Sequence, residues 1–163
     1  SAYNVPTTLL RFFNVFGPRQ RPDHEYAAVL PKWIWLAMQG KPIDVYGDGT
    51  ASRDFTYVET VLDIAVTAMK EKITTEGAMN LAYGNRIFLN DTIEMLKKHF
   101  PDLRVNYKEN RLGDVKESQN SPSLLKLLFP TITPKPFEDA LAETVVWLKD
   151  FGQSVANGPK TVD

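Results

Sequence analysis

The sequence predicts a domain of mixed helices and short strands, α/β or α+β, on three observations. Short apolar runs at residues 8–13, 43–46 and 79–82 have the length and composition of strands. Other stretches repeat their apolar residues at three- and four-residue steps, the spacing of one helical face. A chain of 163 residues, 43% of them apolar and 24% charged, suits one unit with its own core.

Taken in order, residues 8–13 are almost continuously apolar and read as a strand buried on both faces of a parallel sheet. Such a strand needs neighbours delivered by crossover connections, and only seven residues precede it, so the pattern implies a missing upstream portion. Gly17, Pro18 and Pro22 break the run. A helix then begins near Tyr26 or just before Pro31 and ends at Gly40. Residues 43–46 read as a strand, Gly47-Asp48-Gly49 as a turn and residues 54–58 as a second extended piece. From Val58, the set Val61, Leu62, Ala65, Ala68 and Met69 falls on one helical face, for which core packing is a sufficient reason. Residues 79–82 are a strand, and Asp91 with Glu94 reads as a capping box ahead of Ile93, Leu96 and Phe100. Residues 103–107 alternate as a strand should, and Ser121-Pro122 supplies a cap and a first-turn proline before Leu124, Leu125 and Leu128. Phe137, Leu141, Val145 and Leu148 share the face of a last helix, which Gly152 stops, leaving residues 153–163 as a polar tail.

Composition removes several classes of function. Nineteen basic and twenty acidic residues give a net charge of -1, so no long-range positive field draws the chain to nucleic acid or anionic lipid. No apolar run approaches the roughly 20 residues of a membrane span, and no basic-then-apolar leader opens the chain, so neither nucleic acid nor membrane is an expected partner and the cytoplasm is the expected location. Without cysteine there are no disulfides, thiolate nucleophiles or thiolate metal sites. His24 and His99 show no ligand spacing, so no metal is expected, and no Gly-x-Ser-x-Gly elbow starts a hydrolase triad. Trp33, Trp35, Phe12, Phe13 and Phe16 read as core or interface. Among the arginines, Arg53 and Arg111 stand out because each lies near glycines and an aspartate, in Gly47-Asp48-Gly49 through Asp54 and in Arg111-Leu112-Gly113-Asp114. Such a setting either fixes a turn through a salt bridge or presents a guanidinium fork to phosphate oxygens, and spacing alone leaves both open.

Three segments together narrow the choice: Arg11-Phe12-Phe13-Asn14-Val15-Phe16-Gly17-Pro18-Arg19-Gln20, Tyr26-Ala27-Ala28-Val29-Leu30-Pro31-Lys32-Trp33, and Tyr46-Gly47-Asp48-Gly49 followed by Ser52-Arg53-Asp54-Phe55-Thr56-Tyr57-Val58. In content, order and separation they resemble the extended short-chain dehydrogenase/reductase family. Arg111-Leu112-Gly113-Asp114-Val115 with Ser118 is similar to its UDP-N-acetylglucosamine 4-epimerase branch, and the likeness runs over residues 3–152. The resemblance implies an α/β fold: the C-terminal, substrate-binding part of an extended Rossmann-fold, NAD-dependent nucleotide-sugar epimerase or dehydratase, with the N-terminal NAD-binding part missing. Residues 1–20 would then be a remnant of the Rossmann sheet, a late strand and its loop, and residues 21–152 the nucleotide-sugar-binding domain. By the same resemblance Asn14 and the backbone at Ala28 and Val29 hold the diphosphate and uridine of a UDP-sugar, Arg53 and Arg111 clamp phosphate, and Asp114 contacts the ribose. Phe12 and Val15 match positions on the nicotinamide side of the cofactor cleft.

Two features of that family are absent from the sequence: no Gly-x-x-Gly-x-x-Gly occurs among the nine glycines, and no tyrosine is followed four residues later by lysine. In the family the Tyr-Lys pair moves a hydroxyl proton while NAD accepts hydride, a task ordinary side chains do not perform. The chain alone is therefore expected to bind no NAD and to be inactive, while UDP or a UDP-sugar remains the expected ligand. Asp44 falls near the base pocket, where several relatives carry an aromatic residue or proline. Three fates stay open: part of an epimerase or dehydratase working with a separate NAD-binding half, a non-catalytic sugar-nucleotide-binding module, or an interaction protein. In each, the unpaired strand at residues 8–13 predicts a homo-oligomer, most simply a two-fold dimer.

Overall fold

A computed structural model describes residues 5–23, 27–111, 113 and 116–156. The first apolar run holds one strand, shorter than the run. It ends before Phe13, whose carbonyl accepts the Val15 N–H at 2.6 Å, and beyond this turn the chain passes to another sheet. Strand β1 (Leu10–Phe12) pairs in parallel with β6 (Met79–Leu81), whereas β2 (Asn14–Phe16) pairs in parallel with β5 (Phe55–Tyr57). Strand β1 is not buried on both faces: Leu10 is half-buried, Arg11 is exposed, and Phe12 is 60% exposed. Among the described residues β6 is its only neighbour, so nothing covers its second edge or outer face.

Helix α1 (Val29–Met38) starts after Ala28, with Pro31 in the first turn, where a missing N–H costs nothing, and closes at Gln39 and Gly40. The alternative start at Tyr26 lies outside the described residues. Strand β3 (Ile43–Tyr46) pairs in parallel with β8 (Val105–Lys108), setting Asp44 opposite Asn106 and Tyr46 opposite Lys108. Strand β4 (Ser52–Arg53) lies between β7 (Ile87–Phe88), antiparallel, and β9 (Glu117–Ser118), parallel.

Helix α2 (Val58–Glu71) follows β5 without a loop and turns Thr60, Val61, Ile64 and Ala68 inward. Leu62 and Met69, expected on the core face, are 57% and 72% exposed. They lie on the flank of the apolar stripe, and no described element covers that flank. Helix α3 (Leu89–His99) begins three residues earlier than a capping box at Asp91 requires. The box does not form because the β3–β4 turn already satisfies the helix start: Leu89 N–H donates to Ala51 O at 3.0 Å and Asn90 N–H to Gly49 O at 3.1 Å. Asp91 instead sits in the first turn, where a carboxylate complements the helix dipole. Helix α4 (Ser123–Leu128) also starts one residue later than expected, with Pro122 rather than Ser121 at its cap.

Gly152 does not stop the last helix. Helix α5 (Phe137–Ala156) runs through it, and a Cβ there would stand 2.8 Å from Met38 Cε and 3.4 Å from Trp35 Cζ3. The missing side chain is thus what lets α5 close on α1. Residues 157–163 of the expected tail lie outside the described residues.

Two apolar clusters result. The larger joins α1, β3, β5, α3 and α5 around Phe16, whose ring meets those of Phe55, Tyr57 and Phe137 at 5.9, 5.6 and 5.4 Å. The smaller packs α2 and α4 on β6, through Val61, Ile64, Met79, Leu81, Leu125 and Phe129. Gly17 closes the junction after β2 at φ 145°, where a Cβ would collide with Val58 Cγ1 and stand 3.1 Å from Tyr57 Cε2. Gly17→Ala is expected to cost about 2 kcal/mol in urea unfolding, combining strain and overpacking. Gly77→Ala, with open space around it, should change stability by less than about 1 kcal/mol.

Candidate functional site

A tight turn joins β3 to β4, the two strands that carry Asp44, Tyr46 and Arg53. Gly47 and Gly49 adopt φ 82° and 76°. Between them Asp48 Oδ1 accepts from the Thr50 N–H and hydroxyl at 3.0 and 2.6 Å. The strands that the turn joins and the start of α1 border a cavity of about 390 Å³ lined by Ala27, Val29, Lys32, Trp33, Leu36, Asp44, Tyr46, Arg53, Leu89 and Arg111. It combines an apolar and aromatic surface with three cations and one carboxylate, a lining that suits an anionic ligand carrying a flat or hydrophobic part.

Each polar group in it is held by its own element. Trp33 is buried, and its indole N–H donates to the Asp44 carbonyl at 3.1 Å, fixing α1 against β3. Arg53 extends from β4 with Nη1 donating to Ser52 O at 2.9 Å. Arg111 follows β8 and lays its guanidinium 3.7 Å over the Tyr46 ring, a cation–π contact. Asp44 accepts from Lys108 Nζ at 2.6 Å, and this bond is the main reason its carboxyl sits below, and the lysine above, its ordinary pKa.

One step from Arg53, Asp54 is fully buried. Its Oδ2 accepts from Gly84 N–H at 2.9 Å and Asn120 N–H at 3.3 Å, and its Oδ1 from Asn85 N–H at 3.0 Å. Burial pushes this carboxyl up, and the amides draw it partly back.

Of the residues singled out from the sequence, Val29, Arg53 and Arg111 meet in the one cavity, and Ala28 lies between two of its lining residues at the cap of α1. Asn14 does not line it: its Nδ2 donates to the Asp54 carbonyl at 3.4 Å. Phe12 is 60% exposed at the end of β1, and Val15 packs against the smaller core cluster, and neither lines the cavity. Asp114 lies outside the described residues. Sequence reasoning missed Lys32, Leu89 and Lys108. Lys32 could have been found from the spacing of α1, one turn beyond Val29, but Lys108 comes to Asp44 only through the β3–β8 register, across 64 residues. No group of three or more His, Asp or Glu among the described residues could hold a metal ion.

The chain as a whole is similar to known proteins. The sequence profile of the NAD-dependent epimerase/dehydratase family matches residues 1–82. A probable UDP-glucuronate 4-epimerase of Rhizobium meliloti is 30% identical over 164 residues, covering 89% of this chain and 47% of its own length. Among solved structures, a UDP-N-acetylglucosamine 4-epimerase of Methanobrevibacter ruminantium in complex with UDP-N-acetylmuramic acid aligns with a TM-score of 0.83 and 35% identity, over 92% of this chain and 48% of that one. A UDP-glucuronic acid 4-epimerase of Bacillus cereus, in complex with UDP-glucuronic acid and NAD, aligns with a TM-score of 0.79 and 28% identity over 91% of this chain and 47% of that one. The chain belongs to the NAD-dependent epimerase/dehydratase family and has its α/β Rossmann-like fold. It spans just under half the length of these three relatives.

The Asp44–Lys108 pair is 38% and 47% exposed, so its contribution is small and screened by salt. Because the folded Asp44 has a depressed pKa, the native state holds fewer protons than the unfolded chain. The contribution is therefore present above the unfolded value of about 3.9 and lost as pH falls through the folded one. Asp44→Asn should give a slight loss of stability at neutral pH that shrinks in about 1 M salt, and wild type and variant should converge in acid.

Proposed function

We propose that this chain is the nucleotide-sugar-binding part of an NAD-dependent UDP-sugar epimerase or dehydratase, acting with an NAD-binding portion rather than alone. The observation that carries the reading is the convergence of Arg53 and Arg111 on one cavity with the start of α1 and an aromatic wall. Ala28 makes no side-chain bond to the first-turn amides of α1, so the helix start offers donors and a positive dipole end to an anion. Two guanidinium forks and that helix end suit a diphosphate, and the surface formed by Trp33 and Tyr46 suits the nucleoside. Asn14, near Arg53 through Asp54, and Asp114 complete the proposed contacts. Residues 1–20 then represent a late strand and loop of the Rossmann sheet, and the nucleotide-sugar-binding part runs from residue 21.

NAD, when bound in this family, accepts the hydride. The described residues do not fit it: the positive-φ glycines belong to isolated turns rather than to a glycine-rich strand-to-helix turn, and no tyrosine of the sequence is followed four residues later by lysine. What this chain contributes is binding and orientation of the sugar nucleotide. The added observation that favours a partner is the set of exposed apolar side chains at β1 and on α2, with Leu9 49%, Phe12 60%, Leu62 57% and Met69 72% exposed. A second copy of the chain or a separate NAD-binding half would bury it. A stand-alone binding module would share the cavity but need no such cover.

The purified chain with added NAD is expected to show no epimerase or dehydratase turnover, and detectable turnover would refute its dependence on another portion. Calorimetry should detect UDP binding that Arg53→Ala weakens about ten- to a hundredfold, the loss of one charge-assisted contact. Equal affinity in the variant would remove Arg53 from the site.

Light scattering over a dilution series should show association that Phe12→Asp abolishes. Phe12 is a cleaner probe than Leu10, which packs against the smaller core cluster. A strict monomer at high concentration would refute self-association.

A further inference from the structure

The strands around Arg53 are too short to hold their own register. β4, β7 and β9 have two residues each, so the sheet that carries Arg53 consists of two pairings on either side: Ser52 with Phe88 and Arg53 with Ile87, and Ser52 with Glu117 and Arg53 with Ser118. Backbone ladders of that length are marginal. The Asp54 carboxylate makes up the deficit from one point. Gly84 and Asn85, whose amides it accepts, lead into β7, and Asn120, whose amide it also accepts, follows β9. One carboxylate thereby ties both neighbours of β4. Its backbone carbonyl adds a third tie by accepting Asn14 Nδ2 from β2.

The closeness of these segments is itself constrained. Gly84 has φ 78°, and a Cβ there would lie 3.0 Å from Asn120 O, so the two segments meet this closely only because residue 84 has no side chain. Gln119 Nε2 closes the same junction by donating to Gly84 O at 2.8 Å.

The geometry points to Asp54 as the positioning residue of the anion site: it clasps β7 and β9 onto β4, holding Arg53 at one fixed position relative to Asn14. This rests on the reading of Arg53 and Arg111 as diphosphate ligands. Asp54 itself touches no ligand, since it is fully buried and its carboxylate is occupied by amides. Asp54→Asn keeps the size but turns one acceptor into an NH2 group facing N–H donors, which opens one side of the clasp.

The test is a double-mutant cycle on the full chain, titrating UDP-glucose by calorimetry into wild type, Arg53→Ala, Asp54→Asn and the double variant, with circular dichroism to verify folding. Asp54→Asn is expected to fold and to bind about tenfold more weakly, and Arg53→Ala in that background should cost little more, because a displaced guanidinium has little left to lose. The Arg53 Nε–H resonance should shift in Asp54→Asn. A residue that only stabilised the fold would leave the affinity of the folded molecules and that resonance unchanged. Wild-type affinity in Asp54→Asn, or losses from the two substitutions that simply multiply, would overturn the proposal. Should Asp54→Asn fail to fold, Gly84→Ala perturbs the same clasp from its partner side: a comparable loss, again non-additive with Arg53→Ala, supports the proposal, and wild-type affinity overturns it. If wild type binds no UDP-glucose, the site reading fails and the positioning role with it. If wild type binds and only Arg53→Ala weakens it, the positioning role alone fails.

Discussion

A single buried carboxylate, that of Asp54, holds together a sheet whose three strands have two residues each. A charge placed where water cannot reach it demands donors, and here backbone amides from two separate segments supply them. The arrangement converts an electrostatic penalty into a geometric constraint: any movement of β7 or β9 leaves an ionised group less satisfied. The same economy recurs at the start of α3, where carbonyls of the β3–β4 turn replace a side-chain cap, and at Trp33, whose indole fixes α1 to β3. Polar atoms that must be satisfied anyway therefore define how the cavity walls stand.

Legibility in the sequence followed locality. The spacing of α2 and α5, the run of β3 and the glycine turn after it are properties of a few consecutive residues, and they were readable. Three expectations failed where a distant segment supplied what a local motif was assumed to supply. Asp91 resembled a cap only so long as the carbonyls of Gly49 and Ala51 were out of view. Gly152 resembled a stop, but its absent side chain serves contact with Met38 and Trp35 on α1, more than a hundred positions earlier. Residues 8–13 resembled a strand buried on both faces, whereas β1 within them is half-buried at Leu10 and exposed at Arg11 and Phe12.

The candidate site shows the same division. Arg53 and Arg111 were singled out by their glycine and aspartate neighbours, and both line the cavity. The partner each wall depends on was not visible, because Tyr46 under Arg111 and Lys108 beside Asp44 are matters of β3–β8 register. A one-residue slip of that pairing would turn every side chain of β8 to the opposite face and remove Lys108 from Asp44.

The uncovered edge of β1 has a consequence for what could dock there. With three residues, β1 has room for only a few backbone hydrogen bonds to any newcomer, and such a short ladder discriminates poorly between partners. Recognition beside this strand then falls to side chains of α2 such as Met69, which shares a surface hollow with Leu10 and is 72% exposed. The strand supplies direction and the helix supplies identity, so drift in the helix residues would change the choice of partner while the sheet geometry stayed the same.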